Sequence, residues 1–130
     1  MISRRIVLAS AALLAVMAAA PAARAETVAY TDAAFEAALS KGRSILVEIH
    51  APWCPVCAAQ APILSKLEAD PKFKDLLVVR VDFDNQKDVV RRLKAQAQST
   101  LITFKSGKET GRSVGDTNPA TIAALLDRAI

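Results

Sequence analysis

Helical and strand-like apolar patterns alternate along this chain, and the alternation limits the folds that it can adopt. Two short segments, residues 44–51 and 76–81, are so apolar that both of their faces must be buried. A helical pattern over residues 55–69 separates them. Strands that are joined through a helix pair in parallel by a right-handed crossover. The sequence therefore predicts an α/β protein with a parallel strand pair at its centre.

The remaining patterns complete one domain. Helices are expected over residues 32–40, 55–69, 85–97 and from 118 onward, and strands over residues 44–51, 76–81, 100–105 and 109–114. The last two strands form an antiparallel hairpin that turns at Ser106-Gly107. The predicted order, α-β-α-β-α-β-β-α, gives a mixed four-stranded sheet that is flanked by helices on both faces.

The first 25 of the 130 residues have the three parts of a cleavable signal peptide. Arg4 and Arg5 give a charged start, residues 6–20 form a mostly apolar run, and Ala23-Arg24-Ala25 matches the cleavage pattern. As a helix the run would reach about 22 Å, short of the hydrocarbon core of ~30 Å. We therefore expect cleavage near Ala25, by the general or the twin-arginine route, and a mature periplasmic domain of residues 26–130 without stable membrane insertion.

The formal charge of +4 reflects the leader more than the domain. Three of the 17 basic residues lie in the leader, which leaves 14 basic and 13 acidic residues in the mature chain. These charges alternate along the sequence and form no basic stripe. The composition therefore predicts no nucleic-acid partner.

The chain contains two cysteines, Cys54 and Cys57, at the predicted junction between a strand and a helix. A thiolate in the first helical turn accepts unsatisfied backbone N–H groups and faces the positive end of the helix dipole, so its pKa is lowered. We expect Cys54, at an exposed tip, to be the attacking nucleophile. Cys57, a turn deeper, would resolve the mixed disulfide.

Three other interpretations of the pair are weaker. A structural disulfide across so small a ring would constrain the unfolded chain by only roughly 2 kcal/mol. A structural zinc site normally needs four ligands, and His50 supplies only a third. Two inert buried thiols are the remaining alternative. The neighbouring Trp53 and Pro55 favour redox chemistry over all three.

These residues make the mature chain resemble the thioredoxin superfamily over nearly its whole length. The resemblance rests on Trp53-Cys54-Pro55-Val56-Cys57 after a strand, on residues 45–48, Pro62 and 100–108, and on Val114-Gly115. It implies a thioredoxin-like fold and dithiol–disulfide exchange with protein substrates. It also implies no metal and no cofactor beyond the redox-active Cys54–Cys57 disulfide. The residues expected to dock substrates are Trp53, Pro55, Ser99, Thr100 and Gly115.

Three polar residues on the central strands are candidates for tuning the dithiol. Glu48 falls where many family members carry a buried Asp, so it is a candidate acceptor for the proton of Cys57, unless its carboxylate reaches the surface. Arg80 falls where the family often has a Lys, and it would either pair with Glu48 or be solvated. His50 shares a strand face with Glu48, and it would donate to the carboxylate, tune the thiolate or simply pack.

The largest departure from the family is Ser99, which replaces a cis-proline that faces the cysteines. A cis bond without proline costs about 2.5–4 kcal/mol, so we expect the Gln98–Ser99 bond to be trans or the loop to be strained. The Ser99 hydroxyl would face the sulfurs and could hydrogen-bond the Cys54 thiolate. The absent proline also opens the dithiol to copper, zinc or an iron–sulfur cluster, which is the main alternative function.

The sequence thus predicts a periplasmic thiol–disulfide oxidoreductase that leans toward reduction. Pro55-Val56 offers no side-chain donor to the thiolate, unlike the His of strongly oxidising relatives. The Cys-Pro-x-Cys pattern also resembles the periplasmic thioredoxins of cytochrome c maturation. A membrane electron carrier would recharge the dithiol. A redox-inactive interaction module on the same fold is a further alternative.

Overall fold

A computed structural model describes residues 15, 17–20 and 23–130, and most of the predicted leader lies outside them. The strands are β1 (Glu26–Ala29), β2 (Ile45–His50), β3 (Leu77–Asp82), β4 (Thr100–Lys105) and β5 (Lys108–Val114). The helices are α1 (Asp32–Ser40), α2 (Pro55–Glu68), α3 (Lys87–Arg92) and α4 (Pro119–Asp127), and a short 3-10 helix spans Pro71–Phe73.

The strands form one mixed sheet in the order β1-β3-β2-β4-β5. Strand β3 pairs in parallel with β1 and β2, while β4 is antiparallel to β2 and β5. The predicted α/β architecture with a central parallel pair is confirmed, but the predicted count of four strands is wrong. The missed strand, β1, has only four residues and a mostly exposed surface. It lacks the apolar pattern of the central strands, and its backbone pairing with β3 orders it.

Helices cover both faces of the sheet, as predicted, because successive side chains of β2 point to opposite sides. Ile45, Val47 and Ile49 pack in the core that includes residues of α1 and α3. Leu46 packs in the opposite core, with residues of α2 and α4. Glu48 shares the face of Leu46 by the two-residue period. It therefore lies on the side covered by the helix that carries the cysteines.

Helix α3 ends at Arg92, five residues before the predicted limit at Ala97. The reason is local: Lys94 turns into the left-handed conformation with φ of 56°. Arg112 of β5 then donates to the carbonyl oxygens of Leu93 and Lys94 at 2.9 and 3.0 Å. These bonds satisfy carbonyls that the helix end leaves unpaired. The chain continues toward β4 without further helix.

The predicted hairpin between β4 and β5 is confirmed. It turns at Ser106 and Gly107, whose φ angles are 52° and 79°. Positive φ at both central residues suits the right-handed twist of the flanking strands, and glycine adopts it without cost.

The residue just before the predicted mature domain is buried. Ala25 is 4% exposed and belongs to the core on the α2 and α4 side. Its N–H donates to the Glu68 carbonyl oxygen at 2.9 Å. The residue before the predicted cleavage point is thus packed into the fold. Among the residues described, no helix has the length and apolar content needed to cross a membrane.

Candidate active site

Both cysteines lie at the amino end of α2, shortly after β2. The chain turns there, and the Cys54 N–H donates to the Ala51 carbonyl oxygen at 3.2 Å. Cys54 is the N-cap: its backbone is extended and its Sγ accepts the Cys57 N–H at 3.1 Å. Pro55 occupies the first turn, where its missing N–H costs nothing and its φ is preset for a helix.

Cys54 is buried, which corrects the expectation that it lies at an exposed tip. Both cysteines are free thiols, 2% exposed, and they pack with Ala51 against the partly buried Val56 and Phe83. The capping geometry is the reason, because a sulfur that accepts the Cys57 N–H must turn toward the helix end. A substrate disulfide therefore reaches Cys54 only by docking closely on the surrounding surface.

The pKa values of the two thiols are shifted in opposite directions. Burial raises the pKa of Cys54, but hydrogen bonds from the Cys57 thiol, from the backbone at Cys57 and Val56 and from the Ser99 side chain outweigh burial and lower it. Burial is the main cause that raises the pKa of Cys57 to about 11, and the hydrogen bond to Cys54 adds to the rise. Cys54 is therefore the thiol that ionises first, and Cys57 keeps its proton.

The loop before β4 has an unusual backbone. The Gln98–Ser99 peptide bond is trans, as predicted. Ser99 adopts a left-handed conformation with φ of 58°, which costs a residue with a Cβ about 1–2 kcal/mol. Its N–H donates to the Ile49 carbonyl oxygen at 2.8 Å, and its carbonyl oxygen accepts the Gly115 N–H at 3.0 Å. The loop is thus both trans and strained, and hydrogen bonds hold it in place.

The Ser99 side chain faces the cysteines, as predicted, and has two acceptors within reach. The residue is 5% exposed, and its hydroxyl donates to the Gln98 carbonyl oxygen at 2.5 Å. It also lies close enough to Cys54 for a hydrogen bond that contributes to lowering the pKa of that thiol. Because a hydroxyl has one proton, it serves one acceptor at a time.

Exposed residues adjoin Cys54 in the chain or adjoin the Ser99 loop that faces it, and we call them the docking surface. It consists of Trp53, Pro55, Val114 and Gly115. Trp53 is 57% exposed and Val114 is 63% exposed, while Pro55 and Gly115 are also open to solvent. Large apolar side chains left in solvent beside a reactive group are typical of a site that binds a partner.

The side chain of Thr100 is buried, and its part in substrate docking stays a prediction. It is 1% exposed, and its hydroxyl donates to the Ala97 carbonyl oxygen at 2.7 Å. Its backbone lies in the sheet, opposite Ile49 on one side and Val114 on the other. Thr100 therefore helps to fix the loop that precedes β4.

Trp53 is held in place although most of its ring is exposed. Its Nε1–H donates to an Asp84 carboxylate oxygen at 2.8 Å, and its ring meets Phe83 edge-on with centroids 6.3 Å apart. Asp82 fixes this turn, because its Oδ1 accepts the N–H groups of Asp84 and Asn85 at 3.1 and 3.2 Å. A rigid aromatic anchor loses little entropy when a partner binds.

Glu48 is buried and paired with Arg80, which was one of the two arrangements that the sequence left open. Nε and Nη2 of Arg80 each lie 3.3 Å from Glu48 Oε2. The two residues are register partners on β2 and β3. Glu48 is 3% exposed, so the alternative in which its carboxylate reaches the surface is wrong. Its role as a proton acceptor stays a prediction.

His50 does not form the hydrogen bond to Glu48 that its position suggested. Its Nδ1 lies 3.9 Å from Glu48 Oε1, which is beyond hydrogen-bonding distance. This nitrogen is buried and finds no hydrogen-bond partner within the described part of the chain. His50 and Glu48 therefore form an ion pair only if the imidazole carries a positive charge. Tuning of the thiolate by His50 stays a prediction.

Sequence reasoning missed three residues that shape the site, Gln60, Phe83 and Asp84, and it named Val114 only as part of the family pattern. Gln60 had a detectable signal, because it follows Cys57 by three residues and precedes Leu64 by four. That spacing puts it on the buried face of α2, where a polar side chain needs a partner. Asp84 had no such signal, since its loop carries no periodic pattern.

The alternative metal-binding function finds no support in the site. Over residues 15, 17–20 and 23–130, no group of three or more His, Cys, Asp or Glu side chains is placed to hold a metal ion. The two sulfurs are already hydrogen-bonded to each other, to backbone groups and to the Ser99 hydroxyl, and apolar side chains pack around them.

Comparison with known proteins agrees with this geometry. The chain is 33% identical over 108 residues to thioredoxin of Mycobacterium bovis, with 82% of this chain and 92% of that protein covered. It is 33% identical over 96 residues to thioredoxin-1 of Saccharomyces cerevisiae, with 74% and 90% covered. Its structure matches the crystal structure of Trxlp from Edwardsiella tarda with a TM-score of 0.76 and 40% identity, covering 78% of this chain and 98% of that one.

Residues 26–128 match the family model named Thioredoxin. The chain belongs to the thioredoxin family. Thioredoxins are thiol–disulfide oxidoreductases that reduce protein disulfides through their own cysteine pair, without a cofactor, and thioredoxin reductase reduces them in turn. The predicted enzyme class and protein-disulfide substrates are therefore confirmed.

Proposed function

We propose that this thioredoxin works in the bacterial periplasm as a reductant of protein disulfides. The unequal thiol pair is the observation that carries the proposal, since the pKa of Cys54 is lowered and that of Cys57 is raised to about 11. Disulfide exchange needs one reactive thiolate and a second thiol that keeps its proton until it resolves the mixed disulfide, and the reducing direction follows the family, whose members reduce protein disulfides. Pro55-Val56 adds no side-chain donor that would stabilise the thiolate further, which supports a reducing role.

The reaction proceeds in two exchange steps. The Cys54 thiolate attacks one sulfur of the substrate disulfide, a Cys54–substrate disulfide forms, and the other substrate sulfur leaves as a thiolate that takes up a proton. Cys57 then loses its proton and attacks Cys54 Sγ. The second substrate thiol is released, and the Cys54–Cys57 disulfide closes. Two electrons have passed from the protein to its substrate.

Glu48 is the proposed acceptor for the proton that Cys57 gives up. It is a buried carboxylate on the sheet face that α2 covers, and Arg80 orients its oxygens from the neighbouring strand. The second step would slow in Glu48→Gln, because an amide cannot take up the proton. The first step, which involves only Cys54, would proceed as before.

The proposed location and electron donor both rest on the predicted leader. Residues 1–25 read as a signal peptide, which would deliver the domain to an oxidising compartment. A reductant in such a compartment must be recharged by electrons that cross the membrane. The proposed donor is therefore a membrane protein that presents a reactive dithiol.

Trapping tests the exchange mechanism directly. In Cys57→Ser the mixed disulfide cannot be resolved, so we expect protein adducts that dissociate when a thiol reductant is added. Cys54→Ser is the matched control, which should form none because Cys57 keeps its proton. Equal trapping by both variants, or none by Cys57→Ser, would contradict the assigned roles.

Two further measurements test the direction of electron transfer and the location of the protein in the cell. A reduction potential near about −270 mV would support the reductant, and one near about −120 mV would overturn it. Fractionation of bacterial cells should find the full chain in the periplasm, whereas a control chain that begins at Glu26 should stay in the cytoplasm. A full chain retained in the cytoplasm would contradict the proposed location.

A further inference from the structure

One polar side chain is buried in the apolar face of α2, three residues after Cys57. Gln60 is 1% exposed, and its amide nitrogen donates to two backbone carbonyl oxygens. The first belongs to Ser99, at 3.2 Å, and the second to Asp116, at 2.8 Å. These acceptors lie 39 and 56 residues further along the chain. A buried amide with two such partners ties distant segments together.

The two segments that Gln60 joins are those that flank the dithiol. Ser99 faces Cys54, and Asp116 follows Gly115 of the docking surface. A third hydrogen bond joins the two loops to each other, because the Gly115 N–H donates to the same Ser99 carbonyl oxygen at 3.0 Å. The helix that carries the cysteines is thereby connected to both loops through one side chain.

Ser99 needs this support, because its conformation is unfavourable. Its φ of 58° lies in the left-handed region, which is unfavourable for a residue with a Cβ. Serine also lacks the ring by which a proline would fix the backbone of this loop. Strained backbone persists only where its surroundings over-determine it. Here the Ile49 carbonyl oxygen holds the Ser99 N–H, while Gly115 and Gln60 hold its carbonyl oxygen.

We propose that Gln60 is a positioning residue that locks the Ser99 loop and the Gly115 loop into one docking surface for protein disulfides. It acts through the backbone of these loops and takes no part in sulfur chemistry. The inference rests on the proposed function, since it assigns the residue that keeps the protein-binding surface in register with Cys54.

The test replaces the donor and keeps the volume. Gln60→Met is unbranched and of similar length, and Gln60→Leu provides a second variant should the first fold poorly. We expect KM for a protein disulfide such as insulin to rise about tenfold, the factor that corresponds to about 1.4 kcal/mol. The rate with hydroxyethyl disulfide, which is too small to span the two loops, should change less than about twofold. Amide exchange at Gly115 should accelerate.

Thr103→Val is the matched control for loss of a buried hydrogen bond. Thr103 is fully buried on β4, and its hydroxyl pairs with the Thr110 hydroxyl at 3.0 Å, away from the docking surface. This variant should lose stability while KM for insulin stays at the parent value.

These measurements distinguish a failure of the proposed disulfide-reductase function from a failure of the role assigned to Gln60. A parent protein that reduces neither disulfide would refute the proposed function. An active parent whose Gln60→Met variant keeps the parent KM and the parent exchange at Gly115 would refute the role of Gln60 alone. A variant that loses activity toward both disulfides to the same extent would also refute it, because the side chain would then be merely structural.

Discussion

Cys54 and Cys57 share one helical turn and the same low exposure, yet the pKa values of their thiols move apart. What differs is the hydrogen bonding at each sulfur. Cys54 accepts bonds at the amino end of α2, whereas Cys57 is desolvated and donates to Cys54. Hydrogen bonds therefore outweigh the effect of burial at Cys54, whereas burial and the bond to Cys54 act in the same direction at Cys57.

The pH dependence of alkylation tests this division. The thiolate is the nucleophile, so a lowered pKa lets the rate at Cys54 reach its plateau at a lower pH than in the unfolded chain. In Cys54→Ser the remaining Cys57 should still react slowly at neutral pH, because burial, the largest cause of its raised pKa, is unchanged. Iodoacetamide labelling followed by mass spectrometry measures both profiles. Superimposable profiles for the folded and unfolded Cys54 would contradict the assignment.

Substitutions at Ser99 separate backbone strain from the hydroxyl group. Ser99→Gly should raise the free energy of unfolding by about 1 kcal/mol, because glycine adopts a φ of 58° without steric cost. Ser99→Pro should lower it, since proline cannot adopt that φ and would lose the N–H bond to Ile49. Urea unfolding measures both. Ser99→Ala is the control, because it keeps the strain and should raise only the pKa of Cys54.

At the scale of elements, the sequence predicted what strong patterns encode. The apolar runs of β2 and β3 and the helical pattern that begins at Pro55 have clear periods, and these elements form as expected. Strand β1 was missed because backbone pairing with β3 orders it, and pairing leaves little trace in four residues. The early end of α3 depends on Arg112, which is 20 residues beyond Arg92 in the sequence.

The features of the site also fall into those that the sequence predicts and those that depend on the completed fold. The dithiol, the exposed Trp53 and the trans bond before Ser99 follow from residue type and position. The burial of Cys54 does not, because it results from the direction of its sulfur in the cap. The bonds of Gln60 also escape a local pattern, since their acceptors are brought close only by the completed sheet.

Arg112 provides a test at this scale, because it joins β5 to the end of α3. Arg112→Met removes the donors to two carbonyl oxygens and should lower the free energy of unfolding by about 1–2 kcal/mol. It should also accelerate amide exchange over residues 93–99. Glu109→Gln is the control, since it weakens the exposed ion pair with Arg112 and keeps both carbonyl bonds. Equal effects of the two variants would show that the ion pair, and not the helix end, matters.

At the scale of the whole molecule, the predicted leader and the domain that follows it differ in charge. The leader carries three arginines and no acidic residue, and the domain is nearly balanced. We expect a full chain that is expressed in bacteria and recovered from the periplasm to have the intact mass of residues 26–130. A periplasmic protein that retains residues before Glu26 would contradict cleavage near Ala25.

The burial of Ala25 has a consequence for the timing of maturation. A peptidase needs an extended, accessible stretch around the bond that it cuts, but in the folded full chain Ala25 packs against the core and donates its N–H to the Glu68 carbonyl oxygen. Processing at this position would thus compete with folding, and it would succeed only while the polypeptide is still unfolded. A chain that folded first would keep its leader. The rate of folding relative to the rate of cleavage would therefore determine how much mature thioredoxin a cell obtains.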